Sequence, residues 1–123
     1  MPWIVRFEDE FEREFAAFET AVQDELLAGA QLLRQYGPRL GRPHCDTLKG
    51  ARHANLKELR FDAAGGVWRV AFAFDPNRHA ILLVAGDKSG VSQDRFYQRL
   101  IAQAHRRYTA HLQRLKMAAS RGR

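Results

Sequence analysis

Ten polar side chains between residues 49 and 97 could carry chemistry: Lys49, Arg52, His53, Lys57, Glu58, Arg60, Arg69, Lys88, Arg95 and Tyr97. Seven are cations, beside one carboxylate, one imidazole and one phenol. That combination suits cleavage of an RNA phosphodiester. The ribose 2′-hydroxyl must lose a proton, the crowded phosphorane must be stabilised, and the 5′-oxygen must gain a proton. Fixed guanidiniums and ammoniums stabilise the developing charge without a metal. Glu58, His53 or Tyr97 can move the protons once their pKa values are tuned. Lys49, Arg52, Lys57 and Arg95 suit an RNA backbone. Plainer roles stand beside these. Glu58 reads equally as an ion-pair partner across a sheet, His53 as an ordinary loop histidine, and Tyr97 as a packed helix residue with a wet hydroxyl. Arg69 has the strongest functional case, because it stands alone on its strand face.

Three strand-like runs position these groups. Leu56–Phe61 is short and mixes charged with apolar residues, with Glu58 and Arg60 on one face and Lys57 on the other. In Val67–Asp75, Trp68, Val70, Phe72 and Phe74 share one face, and Val67, Arg69, Ala71 and Ala73 share the other. Ala80–Ala85 is a continuous apolar run, suited to a strand covered on both faces. Ala63-Ala64-Gly65-Gly66 and Pro76-Asn77-Arg78 separate the runs with hairpin-type turns, which predicts an antiparallel meander. In plain register Arg60 and Arg69 meet on one face, with Glu58. The aromatic face of Val67–Asp75 needs a helical cover. The Arg69 face, floored by Ala71 and Ala73, is expected to be an open groove or a solvated sheet face.

The flanking elements are helical. Trp3–Phe7 is expected as an edge strand of the same sheet. Phe11, Phe15 and Phe18 fall on one helix face and read as core. Thr20-Ala21-Val22-Gln23 resembles a capping box opening a second helix, stopped by Gly37-Pro38. Arg39–Thr47 reads as a loop. His44 and Cys45 adjoin there, but no second Cys/His cluster completes a zinc spacing, and nothing nearby marks Cys45 as a nucleophile. From Ser92 onward Phe96, Leu100, Ile101, Ala104, Tyr108, Leu112 and Leu115 form the apolar stripe of a basic helix. Arg99, Arg106, Arg107, Arg114 and Lys116 fall mostly off it. Residues 1–117 read as one domain and 118–123 as a frayed basic tail.

Composition narrows the classes. The chain has 123 residues and one cysteine, which excludes an internal disulfide framework and fits a reducing cytosol. No signal-peptide pattern or membrane-length apolar run is present, so a cytoplasmic location is expected, with no metal or cofactor. Residues 1–35 hold eight acidic residues against three basic ones; the remainder holds seventeen basic against six acidic. Such asymmetry suggests a polyanion-binding surface on the second part. The residues alone support a small basic α/β domain suited to RNA, and no more.

LKGARHANLKELRF (48–61), GGVWRVAFAFDP (65–76), ILLVAGDK (81–88) and RFY (95–97) before a basic helix closely resemble the HigB-type, phage-related branch of the RelE/ParE toxin superfamily. The resemblance covers nearly the whole chain. It implies an α+β fold, with two N-terminal helices on a small twisted antiparallel sheet and a C-terminal helix. It also implies a toxin of a type II toxin–antitoxin system, a ribosome-dependent mRNA endonuclease. The implied partner is a cognate antitoxin with a helix-turn-helix, through which operator DNA is bound. Arg69 matches the strand arginine that contacts the scissile phosphate in that pattern. Lys88 matches a basic residue near the site, and Tyr97 a late aromatic that stacks on RNA or assists chemistry. Glu58 stands where RelE has a lysine, so Glu58 and His53 both remain candidates for the general base.

Two rival readings use the same fold. A ParE-like protein inhibits DNA gyrase by binding and cuts nothing. A degenerate toxin survives as an operon corepressor with its antitoxin. The set Arg60, Arg69, Lys88 and Tyr97 favours the endonuclease, because a pure binder has no need of it.

Overall fold

A computed structural model of the chain describes residues 2–51 and 55–121. Arg52 and His53, two of the candidate site residues, lie outside the described residues. The elements run β1 (Ile4–Phe7), α1 (Asp9–Ala16), α2 (Thr20–Tyr36), a 3-10 turn (Gly37–Arg39), β2 (Cys45–Thr47), β3 (Leu56–Ala63), β4 (Gly66–Phe74), β5 (His79–Asp87) and α3 (Gln93–Arg121). The sheet order is β1-β5-β4-β3-β2. The expected α+β architecture holds, and β3, β4 and β5 form the antiparallel meander. β1 is the expected edge strand, but it joins β5 in parallel, so the sheet is mixed.

The period-2 pattern of β4 sets the layers. Val70 and Phe72 bury against Phe11 of α1 and Leu26 and Leu33 of α2, which supply the cover that the aromatic face required. Phe15 and Phe18 pack at the edge of this cluster, so the phenylalanine stripe is core. The opposite face is not open. Ala71 and Ala73 are fully buried beneath Leu100, Ala104 and Tyr108 of α3. Small side chains on the strand let the helix backbone approach, so the space expected above the alanines is where α3 lies. β5 is covered on both sides, with Leu82 facing α1 and α2, and Leu83 facing α3.

Three local expectations change. Arg39–Thr47 contains the short strand β2, paired with β3 from Cys45↔Leu59 to Thr47↔Lys57. The capping box does not form. Gln23 instead donates its side-chain amide to the Phe15 carbonyl at 2.9 Å, satisfying the end of α1. The expected tail from 118 is helical through Arg121.

A register shift between β4 and β5 pairs Ala71 with Val84 and Phe72 with Leu82, leaving Leu83 without an opposite residue. Arg107 of α3 serves this bulge. Its Nη1 donates to the Leu83 carbonyl at 2.8 Å and to Glu14 Oε1 at 2.9 Å. Its Nε lies 3.1 Å from a Glu10 carboxylate oxygen and 3.9 Å from Glu8 Oε1. Glu8 also caps α1, accepting from the Phe11 amide at 3.0 Å. Arg107 is thus buried, off the exposed face where the helical pattern put it. Arg106 and Arg114 also pair with the acidic first helix, through Glu10, Glu8 and Asp9. Part of the charge asymmetry is therefore neutralised within the chain.

No helix among the described residues is long and apolar enough to cross a membrane. Arg107→Met should destabilise the protein by roughly 3 kcal/mol, because three carboxylates lose a desolvated partner. Arg106→Ala, at an exposed site, should stay close to wild type. Urea denaturation of both variants measures the difference.

Candidate active site: the groove between β2, β3 and helix α3

α3 covers the sheet's alanine-floored face without closing over its β2 end. The turn after β5 swings Lys88 outward, and Ser92 starts α3, with its hydroxyl oxygen accepting from the Arg95 amide. Phe96 then seats closely on Gly86, where an added Cβ would stand 2.9 Å from the ring. Tyr97, Ile101 and His105 follow at helical spacing along one wall. The opposite wall is β2 with Leu48, Lys49 and Gly50. Between them is a groove of about 870 Å3.

The strand register places the polar groups. Glu58 lies opposite Ala71, and Arg60 opposite Arg69, so Glu58, Arg60 and Arg69 share the α3 side of the sheet. At the floor, the Tyr97 hydroxyl donates to Glu58 Oε1 at 2.8 Å. Arg69 lies behind this pair, with its Nε 3.8 Å from the same oxygen. Its Nη1 donates to the neighbouring Trp68 carbonyl at 2.9 Å, and its Nε has no hydrogen-bond partner. The Glu58 and Arg69 side chains are each only 7% exposed. Lys49, Arg60 and Lys88 line the groove above.

Burial drives the electrostatics. Desolvation pushes the Glu58 carboxyl above the usual carboxylate range, against the Tyr97 hydrogen bond and the Arg69 and Arg60 charges, which favour the ionised form. Asp46, opposite Glu58 on β2, adds to the upward push. Burial also raises the Tyr97 phenol, and the Glu58 carboxylate raises it further. Asp46 itself is held below its ordinary value, first by the Arg42 hydrogen bond. Such an acid–base pair, linked and shifted upward in a groove, marks a candidate site for proton transfer.

The expected residues divide accordingly. Glu58, Arg60, Lys49, Lys88 and Tyr97 are brought together in the groove. Arg69 joins them only from behind. It does not line the groove, and the expectation of a solvent-open Arg69 fails because α3 and Tyr97 cover it. Lys57 faces away from the groove, on the other side of β3, as its alternation predicts. Arg95 is exposed on α3 and does not line the groove. Cys45 is buried, and burial pushes its thiol up to about 11, which removes it as a nucleophile at neutral pH. Among the described residues no group of three or more His, Cys, Asp or Glu side chains is arranged to hold a metal ion.

The sequence reading missed Arg42, Asp46, Asp94 and His105, which also line the groove. His105 had a signal, since it lies eight residues beyond Tyr97 on the same helical rung. Asp46 had almost none, because β2 is only three residues long.

The phage-derived Gp49-like family (DUF891) matches residues 13–109. Two proteins of Mycobacterium tuberculosis (strain ATCC 25618 / H37Rv) are similar in sequence. One, named Putative toxin HigB2, is 42% identical over 71% of this chain and 43% of its own length. The other, named Putative toxin HigB3, is 44% identical over 64% of this chain and 68% of its own length. The match thus spans less than half of the first relative. In fold, an arginine double mutant of the E. coli toxin RelE in the free state superposes with a TM-score of 0.59, at 11% identity, over 83% of this chain and 96% of that one. Family model and fold agree: the chain belongs to the phage-derived Gp49-like family, is similar to HigB-type relatives, and has a RelE-like fold.

Proposed function

We propose that this chain is the toxin of a type II toxin–antitoxin system and acts as a ribosome-dependent, metal-independent mRNA endonuclease. The observation that carries this reading is the Glu58–Tyr97 hydrogen bond at the floor of a groove edged by Lys49, Arg60 and Lys88. In this reading Glu58 takes the proton of the ribose 2′-hydroxyl. The 2′-oxygen bonds to phosphorus, and the bond from phosphorus to the 5′-oxygen breaks. Tyr97 hands its proton to the departing 5′-oxygen and is reprotonated by Glu58 through their 2.8 Å contact. One proton moves from the 2′- to the 5′-oxygen, and a 2′,3′-cyclic phosphate forms. Arg60, Lys88 and Lys49 stabilise the charge on the phosphorane.

Arg69 has a different part from the one its motif suggests. It opposes the desolvation of Glu58 from behind and holds the carboxylate under Tyr97, without itself reaching the phosphate. The proposed partners are the ribosome with its mRNA and a cognate antitoxin with a helix-turn-helix domain, through which operator DNA would be reached. The proposed location is the cytoplasm.

The direct test is induction of the chain alone in a bacterial host, following growth and mRNA 5′ ends together. Growth arrest with new 5′ ends inside translated frames is the expected outcome; arrest with intact mRNA would sink the endonuclease.

Glu58→Gln should lower cleavage about 100-fold or more. Wild-type cleavage should rise with pH through an ionisation above the ordinary carboxylate range, and the variant should lose that limb. The stability sign is opposite. A raised folded pKa means that the Glu58 contribution is full below its unfolded pKa and is lost as pH rises through the folded one. At neutral pH Glu58→Gln should therefore be no less stable than wild type, by thermal unfolding across pH.

Arg69→Ala should cost on the order of 3 kcal/mol of stability as well as activity, because it leaves a buried carboxylate without its counter-charge. Arg60→Ala should cost activity and leave the melting temperature nearly unchanged. Equal melting temperatures for the two variants would contradict the placement of Arg69 behind the site.

A further inference from the structure

The described lining of the groove sets acidic side chains among its cations. The formal net charge of the chain is +6. Among the described lining residues, Arg42, Lys49, Arg60 and Lys88 supply four positive charges. Asp46, Glu58 and Asp94 supply three negative ones in the same space. Binding of a nucleic-acid backbone draws its strength from cations that displace condensed counterions. Among the described residues, the three carboxylates offset most of what the four cations offer.

Asp46 contributes most to the balance by its position. A single oxygen, Oδ2, accepts from Arg42 Nη2 at 2.7 Å and from Arg42 Nε at 3.1 Å. Arg60 Nη1 lies 3.9 Å from the same oxygen. The other oxygen accepts from the Thr47 amide at 2.8 Å, which fixes the carboxylate. One anionic oxygen gripped by two donors of a guanidinium, with a second guanidinium near, is how a non-bridging phosphate oxygen is held. The register then sets this carboxylate directly across from Glu58.

We propose that Asp46 is a specificity-determining residue: its carboxylate stands in for a backbone phosphate at Arg42 and Arg60, so free single-stranded RNA binds weakly and RNA delivered by a larger carrier is preferred. This rests on the endonuclease reading and names the group that gives the site its dependence on a carrier. Occupied by Asp46, Arg42 and Arg60 must exchange one anion for another when a phosphate arrives. The net gain is then small, unless a second surface holds the RNA in place. Asp94, in the first turn of α3, adds to the same repulsion from the opposite wall.

The alternative role is a strut, in which Asp46 holds Arg42 and Arg60 in the geometry that grips RNA. The two roles predict opposite signs. The test measures binding of the full chain to a 12-nucleotide 2′-O-methyl RNA, which cannot be cleaved, by fluorescence anisotropy over a salt series. Asp46→Asn keeps the shape and an acceptor for the Thr47 amide. It should bind about fivefold more tightly, with a salt slope steeper by about one. Asp94→Asn should shift binding in the same direction. Asp24→Asn, which removes an equal charge from α2 on the far side of the sheet, should change little, being screened by salt.

Weaker or equal binding by Asp46→Asn would overturn the proposal in favour of the strut. The endonuclease reading fails separately, if the wild type cuts no mRNA on ribosomes. A wild type that cuts on ribosomes but binds no free RNA supports the proposal when Asp46→Asn gains binding, and overturns it when none is gained.

Discussion

Arg107 holds the molecule together at one point. Its guanidinium reaches from α3 to a backbone carbonyl at the β5 bulge and to carboxylates of the first helix. The bulge creates the need, since an extra residue leaves a carbonyl outside the ladder, and a buried carbonyl without a partner is costly. The acidic start of α1 makes the cation tolerable there. Removing either half would leave charge or dipole stranded away from water. Three elements from both ends of the chain are thereby fixed relative to one another. Since α3 is one wall of the groove and the sheet is its floor, the width of the site depends on this contact.

The groove itself is built against stability. Glu58 is drawn out of water, and burial works against its ionised form despite the Arg69 and Arg60 charges. Arg69 is as deeply buried, with a nitrogen that donates to nothing. A fold selected for stability alone would place apolar groups at these two positions. Their presence together, beneath a tyrosine whose hydroxyl they hold, is the kind of local cost that a reacting site imposes. The neighbouring charges follow a different logic. Arg42, Asp46 and Arg60 lie nearer to water, where ion pairs form and exchange with little loss.

The fold was legible where periodicity speaks. Strict alternation in β4 separated the aromatic face from the alanine face, and the continuous apolar run of β5 announced cover on both sides. What alternation cannot say is which cover comes. Two alanines beside an arginine suit an open groove or a closely approaching helix equally, and the helix arrived. Glu58, Arg60 and Tyr97 were legible for the same reason: parity and register are local properties. Arg69 was placed on the right face and at the wrong depth, because depth depends on a helix that begins 24 positions later in the sequence. Asp46 and Arg107 were illegible. One sits on a strand too short to show a pattern. The other is a charge in the core, and its partners come from the opposite end of the chain.

The partners of Arg106 and Arg107 in the first helix lie 96 and 93 residues earlier in the sequence. Contacts of such separation carry a large loop-closure cost and slow folding. A growing chain emerges from its N-terminus, so the acidic helix is made first and waits for its cations. Until α3 has been synthesised there is no second wall and no Tyr97 over Glu58. Incomplete chains therefore lack the groove, which is finished only when most of the sequence has been translated.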